Sequence, residues 1–122
     1  MIRVVTVDDH APFREAARAI VASTPGFELV GESTDGLSAL GLVRDADPDI
    51  VILDVRMEPL DGVDVAYRLT GDDPTRVIVL VSGAELRPMA ELAWACGAAA
   101  LVSKHWLTPR LMRGLWLAHR RR

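Results

Sequence analysis

The stretch Asp49-Ile50-Val51-Ile52-Leu53-Asp54-Val55-Arg56-Met57 decides the fold. It is a short apolar run behind Pro48 that ends in an acid and then a loop. Runs of this length, rich in Val and Ile, form strands buried on both faces, as in the middle of a parallel sheet. In open α/β sheets, chemistry gathers outside the carboxyl ends of such strands. Asp54 stands at that end, so the residues that other segments bring to the same edge decide the chemistry.

Towards the N-terminus, Ile2 to Val7 is a second β-branched run, and it ends in Asp8-Asp9. Pro12 suits a first helical turn. Phe13, Ala16, Ala17, Ile20 and Val21 then recur at helical spacing and predict one apolar face, stopped by Pro25-Gly26. Glu28 to Ser33 is another strand. Asp35 is placed to cap a helix in which Ala39, Leu42, Val43 and Ala46 share a face, and Asp47-Pro48 closes it.

Towards the C-terminus, Gly62 permits the turn into a third helix, roughly Val63 to Leu69, which stops at Gly71 to Pro74. Arg76 to Val81 is an apolar strand that finishes at Ser82-Gly83. Leu86, Met89, Ala90, Ala93 and Trp94 mark a fourth helix by the same helical spacing, closed by Gly97. Ala100 to Val102 is a short fifth strand delivering Ser103-Lys104. Thr108 caps a last helix with Leu111, Met112, Leu115 and Trp116 inward, running into Arg120-Arg121-Arg122. Five strands alternate with five helices. That alternation implies right-handed βαβ units and a parallel sheet with helices on both faces.

A chain of 122 residues is one domain, here 1–122, long enough to bury a core without staples. Half the residues are hydrophobic and a quarter charged, a soluble globular balance. A net charge of -3 argues against a dedicated nucleic-acid binder, which is usually basic. The single Cys96 leaves no internal disulfide and fits a reducing cytoplasm. In Ala95-Cys96-Gly97 it reads as a small buried filler rather than a nucleophile. Met1-Ile2-Arg3 leads straight into a strand without signal-peptide shape. No apolar run reaches the ~18 residues of a membrane span, so the expected place is the cytoplasm.

Asp8 and Asp9 end the first strand, Asp54 the third, Ser82 the fourth and Lys104 the fifth, and in a parallel sheet these ends share one edge. Strand ends are often polar merely because they meet solvent. Three carboxylates, a hydroxyl and an ammonium arriving from four strands make a more specific set. Clustered carboxylates raise one another's pKa or recruit a cation. Oxygen ligands with room for water suit Mg²⁺. A carboxylate beside bound Mg²⁺ is able to attack an activated phosphoryl group and become an acyl phosphate. Lys104 then neutralises charge on the transferring oxygens and Ser82 donates a hydrogen bond to one of them.

With these residues in place, the chain resembles the receiver domain of two-component response regulators over essentially its whole length. The resemblance rests on Val7-Asp8-Asp9, Asp54 with Met57 and Asp61-Gly62 downstream, Ser82-Gly83, and Lys104 preceded by Gly97-Ala98. Asp8-Asp9-His10 is similar to the NarL/FixJ-type subgroup, whose members usually carry a C-terminal helix-turn-helix domain. The resemblance implies a flavodoxin-like (CheY-like) three-layer (βα)5 fold with sheet order 2-1-3-4-5. It implies that Asp54 accepts a phosphoryl group from the phosphohistidine of a histidine kinase. It implies Mg²⁺ held by Asp9, Asp54 and the backbone carbonyl of Arg56, with Asp8 acting largely through water. Ser82 and Lys104 would contact the phosphoryl group and report it to a surface formed by the fourth helix, fifth strand and fifth helix. The only catalysis is then on the protein itself. The output is a downstream protein or a C-terminal DNA-binding domain outside this chain, and a homodimer is also compatible.

The sequence departs from the family pattern at several positions. Met57-Glu58-Pro59 displaces by one the proline that usually follows the Met, so the family's loop conformation is not carried over. The usual aromatic switch residue three before the lysine is Leu101. Lys104 is followed by His105 rather than Pro, so no cis peptide is expected there. Arg56 is placed to pair with the phosphoryl group or, in its absence, with the carboxylates. His10 is expected to cap the first helix or face solvent rather than to bind metal. Trp94, Trp106 and Trp116 serve either core packing or a partner surface. The final Arg run is simplest as a solvated helix end suited to the dipole.

The competing function is a degenerate receiver, a binding module independent of phosphorylation. A phosphatase of the haloacid dehalogenase type also forms an acyl phosphate, but it needs a second Asp two residues after the nucleophile, and Arg56 stands there. No G-x-G-x-x-G follows the first strand, which removes dinucleotide binding.

Overall fold

The computed structural model describes residues 1–120. The elements run β1 (Ile2–Val7), α1 (Ala11–Ala22), β2 (Phe27–Ser33), α2 (Gly36–Ala46), β3 (Ile50–Asp54), α3 (Gly62–Asp72), β4 (Val77–Ser82), α4 (Ala90–Ala95), β5 (Ala100–Ser103) and α5 (Pro109–His119). Single 3-10 turns at Arg87–Met89 and Lys104–Trp106 precede α4 and follow β5. The five strands form one parallel sheet, as their alternation with helices predicts, in the order β2-β1-β3-β4-β5 that the family resemblance implies.

Every residue of β3 and β4 is buried, because both faces of the sheet are covered. Alternation sorts the side chains. Val5, Val51, Leu53, Ile78 and Leu80 point to one face, under Val43, Val65, Leu69 and Ala93 of α2, α3 and α4. Val4, Ile50, Ile52, Val77 and Val79 point to the other, under Val21 of α1 and Met112 of α5. Burying each of these branched side chains is worth about 1.5–3 kcal/mol.

The helix ends follow local chemistry. Asp35, Asp61 and Thr108 each accept a hydrogen bond from the backbone N–H three residues on, at Ser38, Asp64 and Leu111. Gly97 ends α4 at φ +86°, and a Cβ there would meet Thr70 Cγ2 at 2.6 Å. α3 runs on to Asp72, three residues beyond the predicted Leu69, and its C-cap Asp73 falls within the predicted stop at Gly71 to Pro74.

One predicted face is corrected. Ala16, predicted on the apolar face of α1, is exposed, while Ala17 and Val21 of that face are buried as predicted. Trp94 is 85% exposed. The inward stripe of this segment is Met89, Ala93 and Cys96, at i, i+4 and i+7, which turns Trp94 about 100° away from Ala93. Trp106 is also exposed, whereas Trp116 packs partly against the α1–α5 core. Of the terminal arginines, Arg120 is the C-cap of α5, and Arg121 and Arg122 lie outside the described residues.

Candidate functional site

Register brings the acids together. β1 pairs Val7 with Leu53, so the next residues along, Asp8 and Asp54, leave the sheet side by side. The Asp8 N–H donates to the Ser33 carbonyl at 3.0 Å and the Val55 N–H to the Val81 carbonyl at 3.0 Å, extending the ladder to the edge of the site. Asp8 and Asp54 are almost fully buried, whereas the Asp9 side chain is 45% exposed. Donor atoms of Asp8, Asp9, His10 and Asp54 all lie within 4.8 Å of one another.

Lys104 arrives from the end of β5. Its Nζ lies 2.7 Å from Asp8 Oδ2, 3.5 Å from Asp54 Oδ2 and 4.9 Å from the centre of the Phe13 ring. One ammonium therefore faces two carboxylates, those of Asp8 and Asp54. Asp54 Oδ1 accepts the Arg56 N–H at 3.3 Å, but Asp54 Oδ2 is buried without a hydrogen-bond partner. Burial first, and the charge of Asp8 second, push the Asp54 carboxyl above its ordinary range, against the opposing pull of Lys104.

A cleft of about 440 Å³ opens onto Asp54, bounded by His10, Phe13, Arg56, Ser82 and Lys104. Behind Asp54 the chain packs closely against Gly62. The Gly62 N–H donates to the Val55 carbonyl at 2.8 Å, and any Cβ on residue 62 would overlap the Asp54 carbonyl oxygen. The loop between them holds Met57 in the core and a cis peptide at Glu58–Pro59. Lys104–His105 is trans, as expected.

Asp8, Asp9, Asp54, Ser82 and Lys104 thus meet at one edge, where the sequence reading put them. Ser82 and Arg56 behave otherwise than expected, whereas the His10 side chain is 63% exposed, one of its two expected outcomes. Ser82 Oγ is engaged locally, accepting the Ala84 N–H at 3.1 Å. The Arg56 side chain is exposed and pairs with no carboxylate among the described residues; its loop points it outward. His10 occupies the N-cap position of α1, but its ring does not cap the helix. Instead Nδ1 approaches Asp8 Oδ1, Asp9 Oδ1 and Asp54 Oδ2 at 3.1, 2.9 and 3.6 Å. Arg14, not singled out from sequence, donates from Nη1 to the Asp8 carbonyl at 3.0 Å. The only sequence signal for it is its place one helical turn into α1.

The family model for the response regulator receiver domain matches residues 4–115. The chain belongs to the response regulator receiver family. The receiver is 40% identical over 104 residues to a protein-glutamate methylesterase/protein-glutamine glutaminase of Myxococcus xanthus, covering 84% of this chain and 30% of that protein. It is 36% identical over 107 residues to the transcription regulator BvgA of Bordetella pertussis, covering 84% of this chain and 49% of BvgA. The chain thus spans half or less of these curated relatives. Among solved structures, the receiver domain of the response regulator NarL from Mycobacterium tuberculosis superimposes with a TM-score of 0.85 at 31% identity, covering 96% of this chain and 94% of that one. The NarL-type resemblance read from Asp8-Asp9-His10 agrees with this neighbour. No helix among the described residues is long and apolar enough to cross a membrane.

The surface expected to carry output lies across the sheet edge from the acids. A groove of about 280 Å³ runs between α4 and β5, lined by Leu86, Ala90, Trp94 and Leu101, with most of the Trp94 ring open to solvent. Leu101, where the family usually has an aromatic, is half-buried there.

Proposed function

We propose that Asp54 is a phosphoacceptor, fed by the phosphohistidine of a histidine kinase, and that the receiver works in the cytoplasm as a switch on a protein surface. The observation that carries this is the Asp54 carboxylate itself: buried at a strand end, open to a cleft, with one oxygen free of hydrogen bonds and an ammonium 3.5 Å away. In the transfer, an Asp54 oxygen attacks phosphorus while the bond from phosphorus to the kinase imidazole breaks, its electron pair returning to that nitrogen. Lys104 offsets charge on the phosphoryl oxygens. Ser82, freed from Ala84, is the hydroxyl available to them.

The donors fit a hard divalent cation. Three carboxylates against one ammonium leave negative charge to be met, and the orphaned Asp54 Oδ2 is a ligand atom in waiting. Asp9, Asp54 and the Arg56 carbonyl would hold Mg²⁺, with Asp8 acting through water. Bound there, the ion would shield the carboxylates from the incoming phosphoryl charge. The receiver's own reaction stops at Asp54 phosphorylation and hydrolysis. Its output falls to the α4–β5–α5 face, read by a downstream protein or by a DNA-binding domain of the same polypeptide.

Intact mass spectrometry after incubation with Mg²⁺ and acetyl phosphate tests this. A single phosphoryl adduct that is lost in Asp54→Ala is expected. No adduct on the wild-type chain would overturn the reading in favour of a phosphorylation-independent interaction module.

A further inference from the structure

His10 is the one side chain at the acid cluster to which phosphoryl transfer assigns no task. Its position is built, since the His10 N–H donates to Asp8 Oδ1 at 2.7 Å and fixes where the ring can reach. The ring then delivers Nδ1 to 2.9, 3.1 and 3.6 Å from one oxygen of each of three acids. Adjacent donors on one octahedral ion with bonds near 2.1 Å stand about 3.0 Å apart. The Nδ1 contacts to Asp9 and Asp8 match that spacing, and the four donor atoms lie within 4.8 Å of one another. Asp54 Oδ2, almost fully buried and unpartnered, points into the same space.

We propose that His10 is a nitrogen ligand of the cation site and tilts it from Mg²⁺ towards a borderline divalent ion such as Mn²⁺, Co²⁺ or Ni²⁺. Mg²⁺ binds oxygen donors and gains little from imidazole. Imidazole nitrogen suits the later first-row ions, whose affinity for a mixed nitrogen and oxygen set rises along the series. This single residue adds one imidazole nitrogen to an otherwise all-oxygen site. This deepens the phosphoacceptor reading, because it rests on the acids forming a cation site.

The test is calorimetric titration of the whole chain with MgCl₂ and with NiCl₂. It is run in a His105→Ala/His119→Ala background, which leaves His10 as the only imidazole. The background protein should bind Ni²⁺ at least about tenfold more tightly than Mg²⁺. His10→Ala should lose about tenfold or more of the Ni²⁺ affinity, and more of it than of the Mg²⁺ affinity, with its fold checked by circular dichroism. Pulsed electron-paramagnetic resonance of the Mn²⁺-loaded protein should show imidazole nitrogen coupling that disappears in His10→Ala. Unchanged Ni²⁺ affinity in His10→Ala, or no nitrogen coupling, would overturn the assignment. So would a rise in affinity for both ions, which would mean that the ring merely fills the cation's place. Mg²⁺ binding with no effect of His10 sinks only this inference. Failure of the background protein to bind either ion sinks the cation site as well.

Discussion

Replacing Asp54 by Asn should make the metal-free receiver more stable. The isosteric amide keeps the Oδ1 acceptor for the Arg56 N–H and removes a charge. Acid donors within 4.8 Å of each other repel by at least about 3.5 kcal/mol per pair at an effective dielectric near 20. Lys104 Nζ at 3.5 Å from Asp54 Oδ2 returns about 4.7 kcal/mol on the same footing. Asp9 is 45% exposed, so solvent screens its share heavily. The charge terms on Asp54 therefore nearly cancel. What is left is a buried carboxylate oxygen without a donor, a cost on the order of 1–3 kcal/mol. The expected gain on substitution is about 1–2 kcal/mol, or roughly 3–8 °C in Tm for a domain of this size.

Urea unfolding in EDTA at pH 7.5, followed by circular dichroism, measures the difference. It should also depend on pH. The Asp54 carboxyl is raised above its ordinary value of 3.8 in the folded chain, so the folded state holds this proton more tightly than the unfolded one. That contribution is fully present below 3.8 and is lost as pH rises through the raised value. The advantage of Asn is therefore widest at neutral pH and closes on acidification. Adding Mg²⁺ should narrow it as well, since only the wild-type site keeps its full charge for the ion, and binding to the folded state stabilises it. An Asn variant no more stable than wild type in EDTA at pH 7.5 would refute the reasoning.

Four further outcomes follow from the packing. Gly62→Ala pushes a methyl into the Asp54 carbonyl and should cost about 1–3 kcal/mol in urea unfolding, with amide shifts concentrated at residues 54–57. Thr108→Ala removes the side-chain cap of α5 and should cost about 1 kcal/mol by the same measurement. Trp94→Ala should leave stability within about 0.5 kcal/mol, because the ring is exposed and fills no core space. Burial pushes the Cys96 thiol up, so it should resist Ellman's reagent at pH 8 in the native protein and react at once in urea.

The sequence by itself determined the strands, the helices, their order and the edge on which chemistry collects. Those features are periodic or local: apolar runs of strand length, helical spacing, and caps at Asp35, Asp61 and Thr108. The placement of Asp8, Asp9, Asp54, Ser82 and Lys104 followed from counting where strands end. Tertiary structure alone decided which way ambiguous faces turned and what touched what. Met89, Ala90, Ala93 and Trp94 satisfy helical spacing as a broad stripe, and only packing against the sheet selected the half that contains Ala93 and Cys96. Gly62 was legible as a turn residue, but its close approach to the Asp54 carbonyl joins segments eight residues apart and leaves no pattern in the chain. The meeting of Lys104 with Asp8 and Phe13, and of His10 with three acids, likewise depends on distances across the sheet. Periodicity encodes which side of an element is apolar, whereas the partner of a polar atom is fixed only when distant segments are brought within a few ångströms.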